Sequence, residues 1–371
     1  MVSRTKTSLI QFLANASILS TFTYIPIFAR NLGIDDIGVT YLVAGYAFAA
    51  FVTNFVIGRL ADVRGRRLFM KIGLILSAIS FALIPFATDF YVLFLIRVFN
   101  GFSIGIYPAA LTAYVYEQKM TMGKFAGFGS LGWGVGTFIA GLIAKICLNE
   151  VFGLGSLFFI LAFLISLKLE PIDSVRIKVP MFPKEVIKRN WHVYAAMFAR
   201  HSTAFAIWTL WPLFLYNYIH ADLFWVGVIQ TTNMITQAIF MFFITDHFRP
   251  RPLIYSGLFL SAVSFYSFTL AWDVITILPT QIVLGASWAF LYVGVLKYLT
   301  DYNKERATAT GILGSVMSLS NLFGPFIALY LFATYNSYLP SMYLASTVSL
   351  IALFIFIPVA ERRRHLETFQ N

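Results

Sequence analysis

Long apolar runs alternate with short polar segments along this chain. A helix that crosses a bilayer needs about 20 mostly apolar residues, and twelve runs satisfy this length. The runs cover residues 8–29, 37–58, 68–88, 90–115, 124–147, 151–168, 192–217, 223–245, 252–271, 274–297, 307–332 and 338–359. The polar, proline-containing stretch EPIDSVRIKVPMFPKEVIKR after the sixth run is typical of a linker. The pattern predicts an all-α membrane protein of twelve transmembrane helices: a six-helix bundle at 1–168, a cytoplasmic linker at 169–191, and a six-helix bundle with a short cytoplasmic tail at 192–371.

One apolar phrase occurs in both predicted bundles. GLILSAISF begins at Gly73 and GLFLSAVSF begins at Gly257, a separation of 184 residues (257 − 73). The same offset pairs Asp62 with Asp246, Arg67 with Arg251, Gly101 with Gly285, Tyr114 with Tyr298 and Glu117 with Asp301, and a slip of two residues pairs Gly129 and Gly132 with Gly311 and Gly314. Because each half has an even number of predicted spans, both halves enter the membrane in the same direction, which indicates a parallel repeat. Such a repeat predicts a substrate path between the halves, near the bilayer midplane, that opens alternately to each side.

Composition and the placement of charge indicate the same class. Of the 371 residues, 59% are hydrophobic and 12% are charged, whereas soluble domains carry roughly 25% charged residues. The net charge is +11, and all 27 Lys and Arg residues fall on one predicted side of the membrane except Arg30, Arg97, Lys145 and Arg200. The positive-inside rule therefore places both termini in the cytoplasm, and the basic balance needs no nucleic-acid partner. We expect a monomeric, multi-pass protein of the cell membrane, with the lipid bilayer around it.

Three motifs make the chain resemble the major facilitator superfamily. GRLADVRGRR, residues 58–67, resembles that family's loop signature after the second helix. RVFNGFSIG, residues 97–105, resembles its arginine and glycine signature on the fourth helix, and GSLGWGVGTFIAG, residues 129–141, resembles its fifth-helix signature without the usual proline. The resemblance implies that family's twelve-helix fold and a loop that steadies one conformation of the cytoplasmic gate. The residues that we assign to gating are Gly58, Asp62, Gly65, Arg66, Arg67, Gly101, Gly105 and, in the second-half copy TDHFRPR, Asp246.

The loop motif has a physical rationale. Gly58 and Gly65 permit a tight turn and a close approach of neighbouring helices. Asp62 is expected near a helix N-terminus or in an ion pair with Arg66 or Arg67. The alternative for the two arginines is that they only fix the topology.

Two arginines fall inside predicted spans, Arg97 in the fourth and Arg200 in the seventh, where a charge costs about 2.5–3.5 kcal/mol. No Asp or Glu falls deep inside any predicted span. An anionic substrate would supply the missing charge, and the planar arginine fork suits a carboxylate or a phosphate. The alternative is that each arginine bonds backbone carbonyls or extends its side chain to a membrane interface. His201, the next residue, is the candidate carrier of a coupling proton, or a neutral contact between helices.

Further polar residues lie on the predicted spans. Gln230, Asn233 and Gln237 are three and four residues apart and form one stripe on the eighth span. Asn100 on the fourth span and Gln281 on the tenth are similar isolated groups. Such groups avoid lipid, so they either join helices or contact substrate. Together with Arg97, Arg200 and His201, the residues Asn100, Gln230, Asn233 and Gln281 are our candidate substrate-binding set.

These features predict a secondary transporter that works by alternating access and moves a small or amphipathic anion. Proton coupling stays open. The alternatives are an efflux transporter for drugs or hydrophobic compounds, a sugar or nucleoside carrier, and, in a different class, a transporter-like receptor. We expect no catalytic residues, metal site or cofactor, because the sequence has no phosphate-binding glycine loop and no cysteine and histidine cluster with metal-ligand spacing. The identity of the substrate and the direction of transport do not follow from the sequence.

Overall fold

The computed structural model describes the backbone of residues 2–171 and 177–368, and within these ranges it is built from helices without a strand. The first eight helices are α1 Val2–Phe22, α2 Ile25–Asn31, α3 Asp36–Arg64, α4 Arg66–Ala82, α5 Phe90–Ile104, α6 Tyr107–Glu117, α7 Met122–Ala144 and α8 Leu148–Leu167. The remaining helices are α9 Lys184–Asn217, α10 Leu223–Phe243, α11 Pro250–Phe268, α12 Val274–Asp301, α13 Arg306–Tyr335 and α14 Leu339–Thr368. Short 3₁₀ turns follow α4 and α10, at Ile84–Phe86 and Thr245–His247.

Ten segments of the described chain are helices long and apolar enough to cross a membrane. The pairs α1 with α2 and α5 with α6 each contribute one of these segments, Arg4–Asn31 and Phe90–Glu117. Of two further helices, α9 contains the seventh run predicted from the sequence, and α11 covers the ninth run up to Phe268, three residues before the predicted end at 271. α9 begins at Lys184, before the predicted start at 192. Its first turns are charged rather than apolar, so they do not belong to the hydrophobic run from which the span was predicted.

The fourth predicted span is interrupted between α5 and α6. Gly105 follows the end of α5, and Pro108 stands in the first turn of α6. Proline has no backbone N–H and clashes with the preceding turn of a continuous helix. The interruption therefore lies where the sequence permits a new helix to start.

Contacts divide the chain into two units. Unit 1 comprises Met1–Val186 with Tyr302–Ser318, and unit 2 comprises Ile187–Asp301 with Leu319–Asn371. Within unit 1, α1 packs on α7 and α8, α3 packs on α5, and α4 packs on α6 and α8. Within unit 2, α12 packs on α10 and α11, and α11 packs on α14. The domain limits predicted from the sequence, at 168 and 192, stay a prediction.

Matching glycines bring matching helices together in the two units. In unit 1, a Cβ atom on Gly73 would lie 2.7 Å from the backbone nitrogen of Tyr107. In unit 2, a Cβ on Gly257 would lie 2.4 Å from the backbone nitrogen of Leu291. Both members of the second pair follow those of the first at the offset of 184, so the repeat seen in the sequence is also a repeat of backbone contacts. Glycine permits this because it leaves no side chain between the helices.

The glycine pairs matched with a two-residue slip do not have equivalent surroundings. Gly132 on α7 packs against the backbone of Phe12 on α1. Gly311 and Gly314, at the start of α13, instead pack against α3 at Gly58 and Asn54. These contacts all lie within unit 1. The start of α13 is therefore tied to the helix that ends in the loop motif.

Candidate functional site

The Asp62 carboxylate lies at the start of α13 and is 2% exposed. Its Oδ2 accepts hydrogen bonds from the backbone N–H of Thr308 at 2.7 Å and from the Thr308 hydroxyl at 2.7 Å. Its Oδ1 accepts from the backbone N–H of Ala307 at 3.2 Å. The first backbone N–H groups of a helix have no partner inside the helix and carry a partial positive charge. Asp62 therefore caps a helix that lies more than 240 residues later in the chain.

Arg66 holds that carboxylate from the other side. Its Nη2 donates to Asp62 Oδ1 at 3.1 Å, and its Nη1 pairs with the Glu117 carboxylate at the end of α6 and donates to the Ala113 carbonyl at 3.3 Å. Arg306 adds a cation–π contact, with its Cζ 4.4 Å from the centroid of the Tyr116 ring. The motif loop thus joins α3, α4, α6 and the start of α13 through buried charges.

The turn between α3 and α4 is made by Gly65. Its φ of +111° is a left-handed conformation that side chains rarely adopt, so a glycine is required there. Gly58, one helical turn before Asp62, has a different role. A Cβ on Gly58 would lie 2.8 Å from the Cα of Gly311, so α3 and α13 touch backbone to backbone.

The described end of the linker lies on the same loop. The Arg59 Nε donates to the carbonyl oxygens of Val179 and Pro180, each at 2.9 Å. The Ile177 N–H donates to the Asp62 carbonyl at 3.2 Å, and the Arg67 Nη2 donates to the Leu169 carbonyl. These contacts could not be predicted from the sequence, because a proline-rich linker carries no pattern that indicates which surface it contacts.

The second-half copy of the loop is built differently. Asp246 lies in the 3₁₀ turn Thr245–His247, and α11 follows directly. The Lys297 ammonium donates to the carbonyl oxygens of Phe248 at 2.6 Å, Thr245 at 3.3 Å and Asp246 at 3.5 Å. In this copy, a lysine on α12 binds the loop backbone.

Arg97 on α5 is buried in unit 1, at 2% exposure. Its Nη1 donates to Asn100 Oδ1 at 3.2 Å, and its Cζ lies 4.3 Å from the ring centroid of Tyr46 on α3. Its Nε and Nη2, and the Asn100 Nδ2, are buried without a hydrogen-bond partner among the described residues. Gly101 lets α5 approach α3 at this level, since a Cβ there would lie 2.1 Å from the Tyr46 carbonyl oxygen.

Arg200 on α9 is buried in unit 2, also at 2% exposure. Its Nε donates to the Ser261 hydroxyl of α11 at 3.0 Å. Its Cζ lies 5.0 Å from the Phe265 ring centroid and 5.2 Å from that of Trp288 on α12. In the part of the chain that the structure describes, no carboxylate pairs with Arg200 or with Arg97.

His201 is buried next to Arg200 and stacks on Trp288, with ring centroids 5.3 Å apart. Its Nδ1 is buried and has no hydrogen-bond partner among the described residues.

The predicted polar stripe is partly satisfied within its own helix. Gln237 donates a hydrogen bond from its side-chain amide to the Asn233 Oδ1, one helical turn away. The Asn233 Nδ2 is buried without a described partner. Gln281 on α12 is buried and contacts the neighbouring Thr280 hydroxyl at 3.3 Å, while Gln230 is half-buried. No described hydrogen bond joins any of these side chains to Arg97 or to Arg200.

Several residues around the arginines were not found from the sequence. Tyr46, Ser261, Phe265 and Trp288 all come from other helices than the arginine that they contact. Their residue types are common in membrane helices, so only the packing of the helices reveals them. Thr308, whose N–H and hydroxyl donate to the Asp62 carboxylate, was not predicted for the same reason.

Ten apolar helices of the described chain that are long enough to cross a membrane, with helix contacts repeated between the two halves of the sequence, are typical of a membrane transport protein. The chain belongs to the Major Facilitator Superfamily: the model of that family matches residues 7–192 and again 193–370. The family and the all-α, twelve-helix fold predicted from the sequence are thereby confirmed. This is a family of transporters rather than of enzymes.

The chain is similar to named members of this family. It is 25% identical over 373 residues to the quinolone resistance protein NorA of Staphylococcus aureus (strain MRSA252), covering 92% of each protein. It is 23% identical over 360 residues to multidrug resistance protein 1 of Bacillus subtilis (strain 168), covering 91% of this chain and 92% of the relative. These relatives place the chain among multi-pass membrane proteins.

Solved structures show the same fold. The human organic anion transporter MFSD10 (TETRAN) matches with a TM-score of 0.80 and 14% identity, over 95% of this chain and 98% of that one. The transporter FucP in its outward conformation matches with a TM-score of 0.73 and 11% identity, over 96% of this chain and 98% of the FucP chain. At these identities the likeness shows the fold alone.

Proposed function

We propose that this transporter is a secondary active carrier of amphipathic organic anions. The observation that carries the proposal is that Arg97 and Arg200 are both buried and that neither has a carboxylate partner among the described residues. Burying an uncompensated charge costs several kcal/mol. A bound anion would recover part of that cost, so the two positions favour a negatively charged cargo.

The remaining donors of Arg97 support the same cargo. Its Nε and Nη2 are buried and unbonded, and the neighbouring Asn100 Nδ2 is also unbonded. Buried donors of this kind are rare in native proteins, because each costs about 1–3 kcal/mol when it has no partner. One carboxylate would accept hydrogen bonds from several of these donors at once.

Aromatic rings around both guanidinium groups support an amphipathic cargo. Tyr46 lies over Arg97, and Phe265 and Trp288 lie over Arg200. These rings accept no strong hydrogen bond, so they leave the arginine donors available while they offer apolar surface to the rest of a ligand.

The second candidate is the export of hydrophobic drugs, whatever their charge. It is favoured by the similarity to the quinolone resistance protein NorA and to multidrug resistance protein 1. The two candidates differ for cationic compounds, because a buried cation is stabilised by a nearby carboxylate and destabilised by a nearby arginine. The acids in the described spans stand near helix ends: Asp62, Glu117, Glu150, Asp246 and Asp301.

We also propose that Asp62 steadies the conformation described here and that His201 is the carrier of a coupling proton. His201 would accept a proton most readily when an anion neutralises Arg200, because the repulsion between the two cations is then offset. A pH gradient that drives anion transport in the wild-type protein, but not after His201→Gln, would support this role. A gradient response that persists in that variant would assign coupling elsewhere.

A thermal-shift screen of the purified protein tests the anion proposal. Ligands of the native state raise the melting temperature by mass action, so a library of organic acids, amines and sugars is compared at equal concentration. We expect stabilisation by aromatic acids, lost in Arg97→Gln and in Arg200→Gln. It should be retained in Arg249→Gln, a control arginine that is exposed at the start of α11. Stabilisation by amines alone would overturn the proposal and favour the second candidate.

A further inference from the structure

A chain of hydroxyl groups fixes one edge of the Arg200 guanidinium. The Arg200 Nε donates to Ser261 Oγ at 3.0 Å, and Ser261 Oγ lies 2.7 Å from Ser287 Oγ. Because the Ser261 oxygen already accepts from Arg200, its proton is available for Ser287, and Ser287 in turn donates to the Gly257 carbonyl at 3.4 Å. The hydroxyl protons of Ser261 and Ser287 therefore both point away from Arg200, toward the backbone of α11.

The N–H donors on Nη1 and Nη2 of Arg200 are available to bind a ligand. A guanidinium carries five N–H donors, and the serine chain uses the one on Nε. The contacts of Arg200 with Phe265 and Trp288 are cation–π contacts, which satisfy charge but accept no hydrogen bond of ordinary strength. No described residue accepts from Nη1 or Nη2. These two nitrogens form the edge of the fork that binds an oxyanion bidentately.

The charge at this point suits a ligand that bears one negative charge. The groups that face Arg200 are Ser261 and Phe265 from α11, Trp288 from α12 and, beside it on α9, His201. None of these side chains is an acid, so none of them supplies a negative charge to Arg200. A monoanion leaves a neutral pair in the low-dielectric interior, whereas a dianion leaves an excess negative charge there, which is costly.

Stacked rings continue from the arginine. Trp288 stacks on His201 with ring centroids 5.3 Å apart and on Tyr292 with centroids 5.1 Å apart. The Trp288–Tyr292 pair has an interplanar angle of only 11°, so the two rings are stacked almost in parallel and continue a column of flat rings from His201. A flat aromatic body is the ligand shape that such surfaces bind best.

From this geometry we infer that Arg200 binds the head of an aromatic monoanion, a carboxylate or sulfonate on a flat ring, and that Ser261 and Ser287 are positioning residues that orient its fork. The inference rests on the proposed function and narrows it to one substrate class. Since Arg200 is 2% exposed here, the ligand reaches it in a conformation in which the rings around it have moved.

Four naphthalene compounds that differ in charge test this inference on the purified full chain at pH 8. The compounds are 2-naphthoate, 2-naphthyl phosphate, 2-naphthylmethanol and 2-naphthylmethylamine, whose Kd values are measured by calorimetry. We expect 2-naphthoate to bind at least about tenfold more tightly than the dianionic phosphate. Ser261→Ala should weaken 2-naphthoate roughly 3- to 10-fold, the loss of one hydrogen bond that orients the fork, without changing the affinity for 2-naphthylmethanol.

Two variants separate positioning from general stability. Ser261→Thr keeps the hydroxyl and should retain the affinity for 2-naphthoate. Ser80→Ala removes a member of the hydroxyl pair Ser80–Ser103, whose oxygens lie 2.9 Å apart in unit 1 and which contacts no arginine, so it should leave that affinity unchanged. If Ser261→Ala behaves like Ser80→Ala, or if the phosphate binds as tightly as 2-naphthoate, the inference is wrong while the anion proposal stands. Binding of the amine alone would overturn both.

Discussion

A single carboxylate, that of Asp62, accepts hydrogen bonds from Ala307, from both donors of Thr308 and from Arg66. Hydrogen bonds to a charged group contribute about 1.5–3 kcal/mol each. Under the proposal that Asp62 steadies the conformation described here, this contact favours it over a conformation in which α13 has moved away from α3. Side chains that act in this way are expected to affect the transport cycle more than the stability of the fold.

Replacement of Asp62 by asparagine should therefore slow transport. The amide keeps one acceptor oxygen but turns an NH₂ group toward donors, so a part of the contact is lost. We expect Asp62→Asn to insert normally and to transport at least about tenfold more slowly, measured with a compound that stabilises the purified wild-type protein. The control is Asp89→Asn, since Asp89 caps its own helix through the N–H groups of Tyr91 and Val92. Wild-type rates in Asp62→Asn would refute the role.

The charged residues and the pairing of Asp62 with Arg66 could be predicted from the sequence, whereas their contacts with more distant helices could not. Arg97 and Arg200 stood out because a charge in an apolar run is costly, and Asp62 stood out through its motif. The partners Tyr46, Ser261 and Thr308 come from distant parts of the chain. A one-dimensional pattern carries no record of which helix faces which, so these contacts required the fold.

At the scale of the helices, most elements followed from hydrophobic runs alone, since a run of about 20 apolar residues has no alternative to a helix in a bilayer. The interruption between α5 and α6 and the early start of α9 at Lys184 did not follow. The first depends on a local proline, and the second on a charged turn that continues a helix outside the apolar run.

The crossing of α3 and α5 depends on Gly101. A Cβ at this position would lie 2.1 Å from the Tyr46 carbonyl oxygen, and the backbone cannot move aside as a side chain can. We expect Gly101→Ala to destabilise the protein by about 1–3 kcal/mol, as for other overpacked positions, and to lower its melting temperature in detergent.

The matched control for this variant is Gly227→Ala. Gly227 lies in α10, and a Cβ there would meet no atom within 4 Å. Because glycine is about 0.5–1 kcal/mol less favourable than alanine inside a helix, this variant should melt at the same temperature or slightly higher. Equal destabilisation by both variants would show that helix packing at Gly101 is not the cause.

For the molecule as a whole, the orientation in the membrane is predicted from charge and can be tested with a natural label. The chain has one cysteine, Cys147, which is free and exposed between α7 and α8. The positive-inside rule puts this connection on the outer face. A membrane-impermeant maleimide should therefore label intact cells that express the protein, and Cys147→Ser should abolish the label. Labelling only after the cells are permeabilised would reverse the predicted orientation.

The helix crossing at Gly73 and Tyr107 is repeated at Gly257 and Leu291, 184 residues later. The interior side chains beside the two crossings are nevertheless different. Arg97 in one half stands where Gln281 stands in the other, at the offset of 184. A duplicated ancestor would have begun with identical chemistry on both sides. Because the crossings are contacts between backbones, the interior side chains of each half can change without altering how its helices pack. A change of substrate would therefore require new interior side chains but not a new fold.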